Sequence, residues 1–153
     1  MKKVTNSCYL DSNILIYYQD QESPFYQQTQ EMISRLIKGG SLLVISPLVL
    51  DEYIYNAFAS SGKTNKEKIK TIKLSLGAIL KLPGMKIVNP PLEFGKQLEV
   101  LSLMEKFTLQ PRDAYHLLIA LENKIKYLAT FDHDFEEVFA KGIIKNFLKQ
   151  PVF

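Results

Sequence analysis

The chain has 153 residues, 46% hydrophobic and 23% charged, with seven Gly and seven Pro, a size and make-up that predict one globular domain over residues 1–153 and exclude a disordered or fibrous polypeptide. A formal net charge of +3 excludes a strongly polycationic surface, so any nucleic-acid site has to be a local patch. A single cysteine, Cys8, excludes an internal disulfide and suits a reducing cytoplasm.

In chain order, the first element is a short apolar run over residues 4–10 that ends at Asp11 and reads as a buried strand. Asn6, Ser7 and Asp11 break the apolar sequence behind Met1-Lys2-Lys3, so neither a signal peptide nor a membrane span is expected. A helical pattern over 24–38 closes at Gly39-Gly40, and a second buried strand over 42–45 closes at Ser46-Pro47. Helices follow over 48–59 and 66–82. Pro83-Gly84 and Asn89-Pro90-Pro91 bracket a strand over 85–88. Further helices span 92–107 and 111–123, and a strand over 127–130 runs into Asp132-His133-Asp134. Ile143-Ile144 could start a fifth strand, against which Lys145 and Asn146 argue. Strands and helices that alternate in this way predict a mostly parallel sheet covered on both faces, with its functional site at the carboxyl ends of the strands.

Four acids stand at such ends or at helix starts. Asp11 follows the first strand and is the only charge in a long apolar neighbourhood; burying a carboxylate there costs several kcal/mol unless donors or a cation compensate. It could equally cap a helix starting near Ile14. Asp132 follows the strand over 127–130, where an Asx-turn is the plain alternative. Asp113 opens a helix behind Pro111, a position the helix dipole explains, yet it shares a stripe with Leu117 and Ala120 that should face the sheet. In Leu50-Asp51-Glu52-Tyr53 the periodicity does not decide which acid faces inward. Taken together, the acids favour a metal site. Carboxylates at close range cannot all ionise without cations, and oxygen-only ligands select Mg²⁺ or Mn²⁺, which suits phosphodiester hydrolysis.

These segments resemble those of the PIN-domain family, in particular the VapC-like toxin ribonucleases of bacteria and archaea. Tyr9-Leu10-Asp11-Ser12-Asn13-Ile14-Leu15-Ile16 is similar to the family's opening strand and first acid, with Ser12 where Thr is more usual. Ile45-Ser46-Pro47-Leu48-Val49-Leu50-Asp51-Glu52 resembles the segment carrying its Glu and selects Glu52 over Asp51. Arg112-Asp113-Ala114-Tyr115-His116-Leu117-Leu118-Ile119-Ala120 and Leu128-Ala129-Thr130-Phe131-Asp132-His133-Asp134-Phe135 are similar to its third and fourth acidic motifs. The resemblance implies a Rossmann-like three-layer α/β/α sandwich with a central mostly parallel sheet. It implies Mg²⁺ or Mn²⁺ held by Asp11, Glu52 and Asp113, with Asp132 completing the site and Asp134 as an outer ligand. Asn13 and Thr130 would orient these acids on the substrate-binding side. Phe131 stands where the family often has a small polar residue.

The resemblance further implies an endoribonuclease cutting single-stranded RNA, the toxin of a toxin–antitoxin pair, with a small antitoxin protein as partner; a homodimer is the expected assembly. A nuclease of RNA maturation or decay and an inert binding module share the same fold. Arg112 beside Asp113 is suited to gripping a phosphate, because a guanidinium binds it bidentately. Lys66, Lys68, Lys70 and Lys73 either follow an RNA backbone or form a solvated helix face. Ser61-Gly62-Lys63-Thr64 resembles the end of a phosphate-binding loop but has Ala57 in place of its first Gly and reads as a turn. His116 reads as a half-buried helix residue and His133 as a loop residue, and no Cys cluster stands by to make a zinc site. Tyr17, Phe25, Tyr26, Ile54, Tyr55 and Phe58 suit a dimer face or antitoxin groove, or the core.

Overall fold

A computed structural model of the chain describes residues 6–60 and 62–149. Its strands are β1 (Ser7–Leu10), β2 (Leu42–Ile45), β3 (Met85–Ile87), β4 (Tyr127–Ala129) and β5 (Lys145–Asn146), hydrogen-bonded in the order β3-β2-β1-β4-β5. Every neighbouring pair is parallel. Cys8, Tyr9 and Leu10 of the central β1 are fully buried, as a strand covered on both faces requires, and β1 accordingly reads as an unbroken apolar run.

Among the described residues seven α-helices cover the sheet: α1 (Ser12–Gln19), α2 (Tyr26–Lys38), α3 (Pro47–Ala59), α4 (Asn65–Leu80), α5 (Phe94–Phe107), α6 (Pro111–Glu122) and α7 (Glu136–Ala140). The chain steps from β1 to β2 and β3 in one direction, then passes back across β1 to reach β4 and β5. Right-handed crossovers therefore put α1 to α4 on one face and α5 to α7 on the other, and α1 packs on α2 and α3, α3 on α4, and α5 on α6. The direction of winding reverses between β1 and β4, and a crevice opens at that point beyond the strands' carboxyl ends.

Local chemistry sets the turns. Gly84, at φ 78°, brings its backbone so close to Ser41 that an added Cβ would lie 2.7 Å from the Ser41 carbonyl oxygen, so the α4–β3 turn requires glycine. Ser46 caps α3 ahead of Pro47, and Thr64 and Glu67 form a capping box at the start of α4. That box occupies the segment resembling a phosphate-binding loop; Ser61 lies outside the described residues.

Several expected bounds need correction, the helices expected over 24–38 and 92–107 among them, which start at Tyr26 and Phe94. The strand expected over 4–10 is Ser7–Leu10, Asn6 being outside it and residues 4 and 5 lying outside the described residues. The fifth strand is Lys145–Asn146 rather than Ile143-Ile144: pairing with Tyr127 and Leu128 sets its position, and an edge strand tolerates polar side chains. The helix over 66–82 stops at Leu80, with Lys81 as its C-cap. Among the described residues no helix is long and apolar enough to cross a membrane.

Candidate functional site

Because β1 and β4 pair in register, Asp11 and Thr130 leave adjacent strands side by side, and the Asp11 N–H donates to the Ala129 carbonyl at 3.0 Å. Asp11 is 5% exposed. Its Oδ1 accepts the Ser12 N–H at 2.6 Å, which caps α1; its Oδ2 accepts the Thr130 hydroxyl at 2.7 Å and the Asn13 amide at 3.3 Å. Thr130 Oγ1 in turn accepts from the Asp132 N–H and the Asn13 amide, and Asn13 Oδ1 accepts the Phe131 N–H. The polar atoms of Asn13 and Thr130 are thus turned to Asp11 and to the loop after β4. Burial raises the Asp11 pKa and the Glu52 charge adds to it, against the opposing effects of His116, Thr130 and the Ser12 N–H.

Glu52 projects inward from α3 while Asp51 is exposed. One Glu52 carboxylate oxygen lies 2.9 Å from His116 Nε2, which is also 3.9 Å from an Asp11 oxygen. Burial acts to raise Glu52, but the hydrogen bond and charge of His116, a hydrogen bond from Ser12 and the charge of Arg112 prevail and hold it below its ordinary value. For His116, burial acts to lower the imidazolium, and the Glu52 and Asp11 carboxylates outweigh it. His116 is not half-buried but 1% exposed, between Glu52 and the Tyr9 hydroxyl. The signal for it in the sequence was an ionisable ring three residues beyond Asp113 within the most apolar stretch of α6.

Asp113, Asp132 and Asp134 form a second trio, each offering an oxygen within 4.8 Å of the others, and Asp11, Glu52 and His116 form the first by the same measure. Burial, then the charges of Asp132, Asp11 and Asp134, push Asp113 up to about 6. The two trios therefore feel one another across the crevice. Asp132 Oδ1 accepts the Asp134 N–H at 2.9 Å, closing the turn that begins the short 3₁₀ segment His133–Phe135. Exposure increases from Asp11, through Asp113 and Asp132, to Asp134 at the rim. Among the described residues none of the five carboxylates has a Lys or Arg ion pair. A crowd of acid oxygens with no Lys or Arg partner among the described residues, one of them driven toward protonation, fits an oxygen-preferring divalent ion.

Other residues lie apart from this crevice. His133 pairs with Glu136 on the surface, and the Lys68 ammonium stands 5.0 Å from the centre of the Phe58 ring. Tyr17, Phe25 and Phe131 form an aromatic cluster with centroids 4.5–5.5 Å apart beside the site. A cavity of about 220 Å³ lined by Phe25, Phe131, Asp132 and Asn146 adjoins it. A larger one of about 930 Å³, lined by Ser7, Arg35, Tyr127 and Phe147 among others, opens at the amino ends of β1 and β4 and touches none of the five acids.

A family model of the PIN domain matches residues 8–140. No curated protein matches the chain by sequence. Among solved structures, FitAcB from Neisseria gonorrhoeae is similar with a TM-score of 0.67 at 15% identity, covering 91% of this chain and 95% of its own. VapBC2 from Rickettsia felis, solved bound to a DNA fragment from their promoter, matches with a TM-score of 0.63 at 18% identity over 92% of this chain and 97% of its own. VapC20 from Mycobacterium tuberculosis, a sarcin-ricin loop cleaving toxin, gives 0.63 at 10% identity over 86% and 94%.

Proposed function

The chain belongs to the PIN-domain family, and from that premise we propose that it is an endoribonuclease, dependent on Mg²⁺ or Mn²⁺, that hydrolyses phosphodiester bonds in single-stranded RNA. The observation that carries the reading is the crowding of Asp11, Glu52, Asp113, Asp132 and Asp134 at one sheet edge with no Lys or Arg ion pair among the described residues. Asp11, Glu52 and Asp113 are the core ligands, Asp132 completes the set, and Asp134 is an outer ligand at the rim. Bound there, a divalent ion supplies Lewis acidity to the scissile phosphate and acidifies water for attack.

The protein's own part is positioning. Thr130, Asn13 and the Ser12 N–H fix both Asp11 oxygens, so the deepest carboxylate meets its cation without reorganising. Asn13 and Thr130 act on substrate through Asp11, their own polar atoms being engaged within the protein. Arg112, exposed beside Asp113, grips a phosphate next to the one cleaved and keeps the polyanion from being repelled by the acids. The rise in exposure toward Asp134 leaves the rim open to a flexible single strand.

We further propose that the enzyme is a cytoplasmic toxin held in check by a small antitoxin. The support is its likeness to VapBC2 and to FitAB, the latter solved bound to an IR36 DNA fragment, at a TM-score of 0.63 and 13% identity over 94% of this chain and 97% of that one. Phe94, Leu98 and Leu101 form an exposed stripe at i, i+4, i+7 on α5, and Phe94 is 92% exposed. That stripe suits a homodimer better than the face around Tyr55. The test of the enzyme is incubation of wild type and Asp113→Asn with labelled single-stranded RNA in Mn²⁺, Mg²⁺ or EDTA. Cleavage that needs both metal and Asp113 is expected; cleavage indifferent to either refutes the reading.

A further inference from the structure

We propose that Ser46, Tyr9 and His116 form a buried hydrogen-bonded line that aims the Glu52 carboxylate, which makes Tyr9 and His116 positioning residues of the metal centre. The inference rests on Glu52 being a metal ligand, as read above.

The line crosses three elements. Ser46 Oγ, at the N-cap of α3, is 2.6 Å from the Tyr9 hydroxyl on β1; that hydroxyl is 2.8 Å from His116 Nδ1 on α6; and His116 Nε2 is 2.9 Å from Glu52 Oε2, back on α3. Ser46 and Tyr9 are fully buried and His116 nearly so. For a neutral imidazole the direction follows from the inventory of donors. An ionised Glu52 only accepts, so Nε2 carries a hydrogen and donates it. In the neutral ring Nδ1 then accepts the Tyr9 hydroxyl, the Tyr9 oxygen accepts the Ser46 hydroxyl, and the Ser46 oxygen accepts the Val49 N–H at 3.4 Å. Every hydrogen in the line meets one acceptor, and no buried side-chain polar atom among the described residues is left without a partner.

Packing alone gives no reason for this arrangement. Phe in place of Tyr9 and an aliphatic side chain in place of His116 would fill much the same space with no polar group to satisfy. What the line does accomplish is to fix the ring plane of His116, and through it one oxygen of a side chain with three rotatable bonds. The Ser12 hydrogen bond restrains Glu52 as well. Outer donors of this kind orient ligands, and their loss typically costs about 10–100-fold in metal affinity. Asp113 lies one turn before His116, so α6 supplies one carboxylate directly and aims a second.

The test uses the full chain and Mn²⁺ alone, titrated by calorimetry well below the melting temperature of each variant. Tyr9→Phe removes one hydroxyl that touches no carboxylate and is expected to weaken Mn²⁺ binding by roughly threefold to tenfold, with His116→Leu weakening it by about 10–100-fold and His116→Gln regaining part of the loss through its amide donor. In a Glu52→Ala background Tyr9→Phe should have no further effect. Tyr53→Phe, which deletes another tyrosine hydroxyl, bonded to Ser75, is the control for stability alone and should leave affinity unchanged. Wild-type affinity in both Tyr9→Phe and His116→Leu, or an equal loss with Glu52 absent, overturns the positioning role. A wild type that binds Mn²⁺ more tightly than Tyr9→Phe but cuts no RNA overturns the nuclease reading while the line stands, and a wild type that binds no Mn²⁺ overturns both.

Discussion

Asp113→Asn should make the metal-free protein more stable while it destroys the metal site. Burial, and then the charges of Asp132, Asp11 and Asp134, lift the Asp113 pKa from 3.8 to about 6, so at pH 7.5 the folded state carries a charge its surroundings disfavour. At about 1.36 kcal/mol per pKa unit the full penalty is roughly 3 kcal/mol. Asp113 is only half-buried, so solvent screening reduces that to about 1.5 kcal/mol. The substitution also forfeits the favourable interaction of a first-turn acid with the α6 dipole, about 0.3–1 kcal/mol. A net gain of roughly 0.5–1 kcal/mol remains, or about 1–4 °C in melting temperature for a chain of this size.

The dependence on pH has a definite sign. A raised native pKa means that the native state binds the proton before the unfolded state does, so the penalty is complete above about 6 and vanishes below 3.8. The advantage of Asp113→Asn in EDTA should therefore shrink as pH falls from 7.5 toward 4. Saturating Mn²⁺ should reverse the order, since an ion at about 100 times its dissociation constant stabilises wild type by roughly 2.7 kcal/mol and the variant by less. Urea unfolding in EDTA at several pH values, repeated with Mn²⁺, measures all of this. A variant no more stable than wild type at pH 7.5, or one whose gain is the same at pH 4, would show that Asp113 is not buried among the acids as described.

Thr130→Val keeps shape but removes the donor to a buried carboxylate and the acceptor for Asp132 N–H and Asn13; unfolding should show a loss of about 1.5–3 kcal/mol, together with weaker Mn²⁺ binding. Arg112→Lys keeps the charge but loses the fork, so KM for RNA should rise several-fold with kcat little changed in steady-state cleavage assays. Leu98→Glu places a charge in the exposed stripe of α5 and should give a folded monomer by sedimentation velocity and circular dichroism, because Leu98 is 67% exposed in the single chain and supports no part of its core.

The sheet was legible because β1 and β2 are short apolar runs with turn residues at their ends, and the doubly covered parallel architecture followed from their alternation with helices. Lys145 and Asn146 were not legible as a strand, because pairing with Tyr127 and Leu128, a long-range fact, sets that edge. Periodicity could not choose between Asp51 and Glu52 on a helix apolar all round; the fold decides by packing α3 against α1 and α4 so that Asp51 meets solvent. The exposed stripe of α5 escaped notice because Phe94, Leu98 and Leu101 have the spacing of a core-facing helix, and the core-facing side of α5 instead buries Val100 and Phe107. His116 looked like an ordinary helix residue because its partners are 64 and 107 positions away.

Capping and metal binding were posed as competing accounts of Asp11 and Asp132, and the geometry makes them one account. A carboxylate has about four lone-pair sites, and Asp11 has its Ser12, Asn13 and Thr130 hydrogen bonds distributed over both oxygens. Each donor offsets part of the cost of burying a charge in a molecule with no cation bound, which lets the fold form before the ion arrives. The same donors, the Ser12 hydroxyl at 3.4 Å from Oδ1 included, restrict the directions from which a cation can approach the two oxygens. Asp132, capping the turn with Oδ1 alone, keeps its other oxygen uncommitted to that turn at the more exposed end of the crevice. The deep acid is thus rigid and the rim acids are looser, the order of rigidity expected of a centre whose inner side must be preformed and whose outer side must admit a strand of RNA.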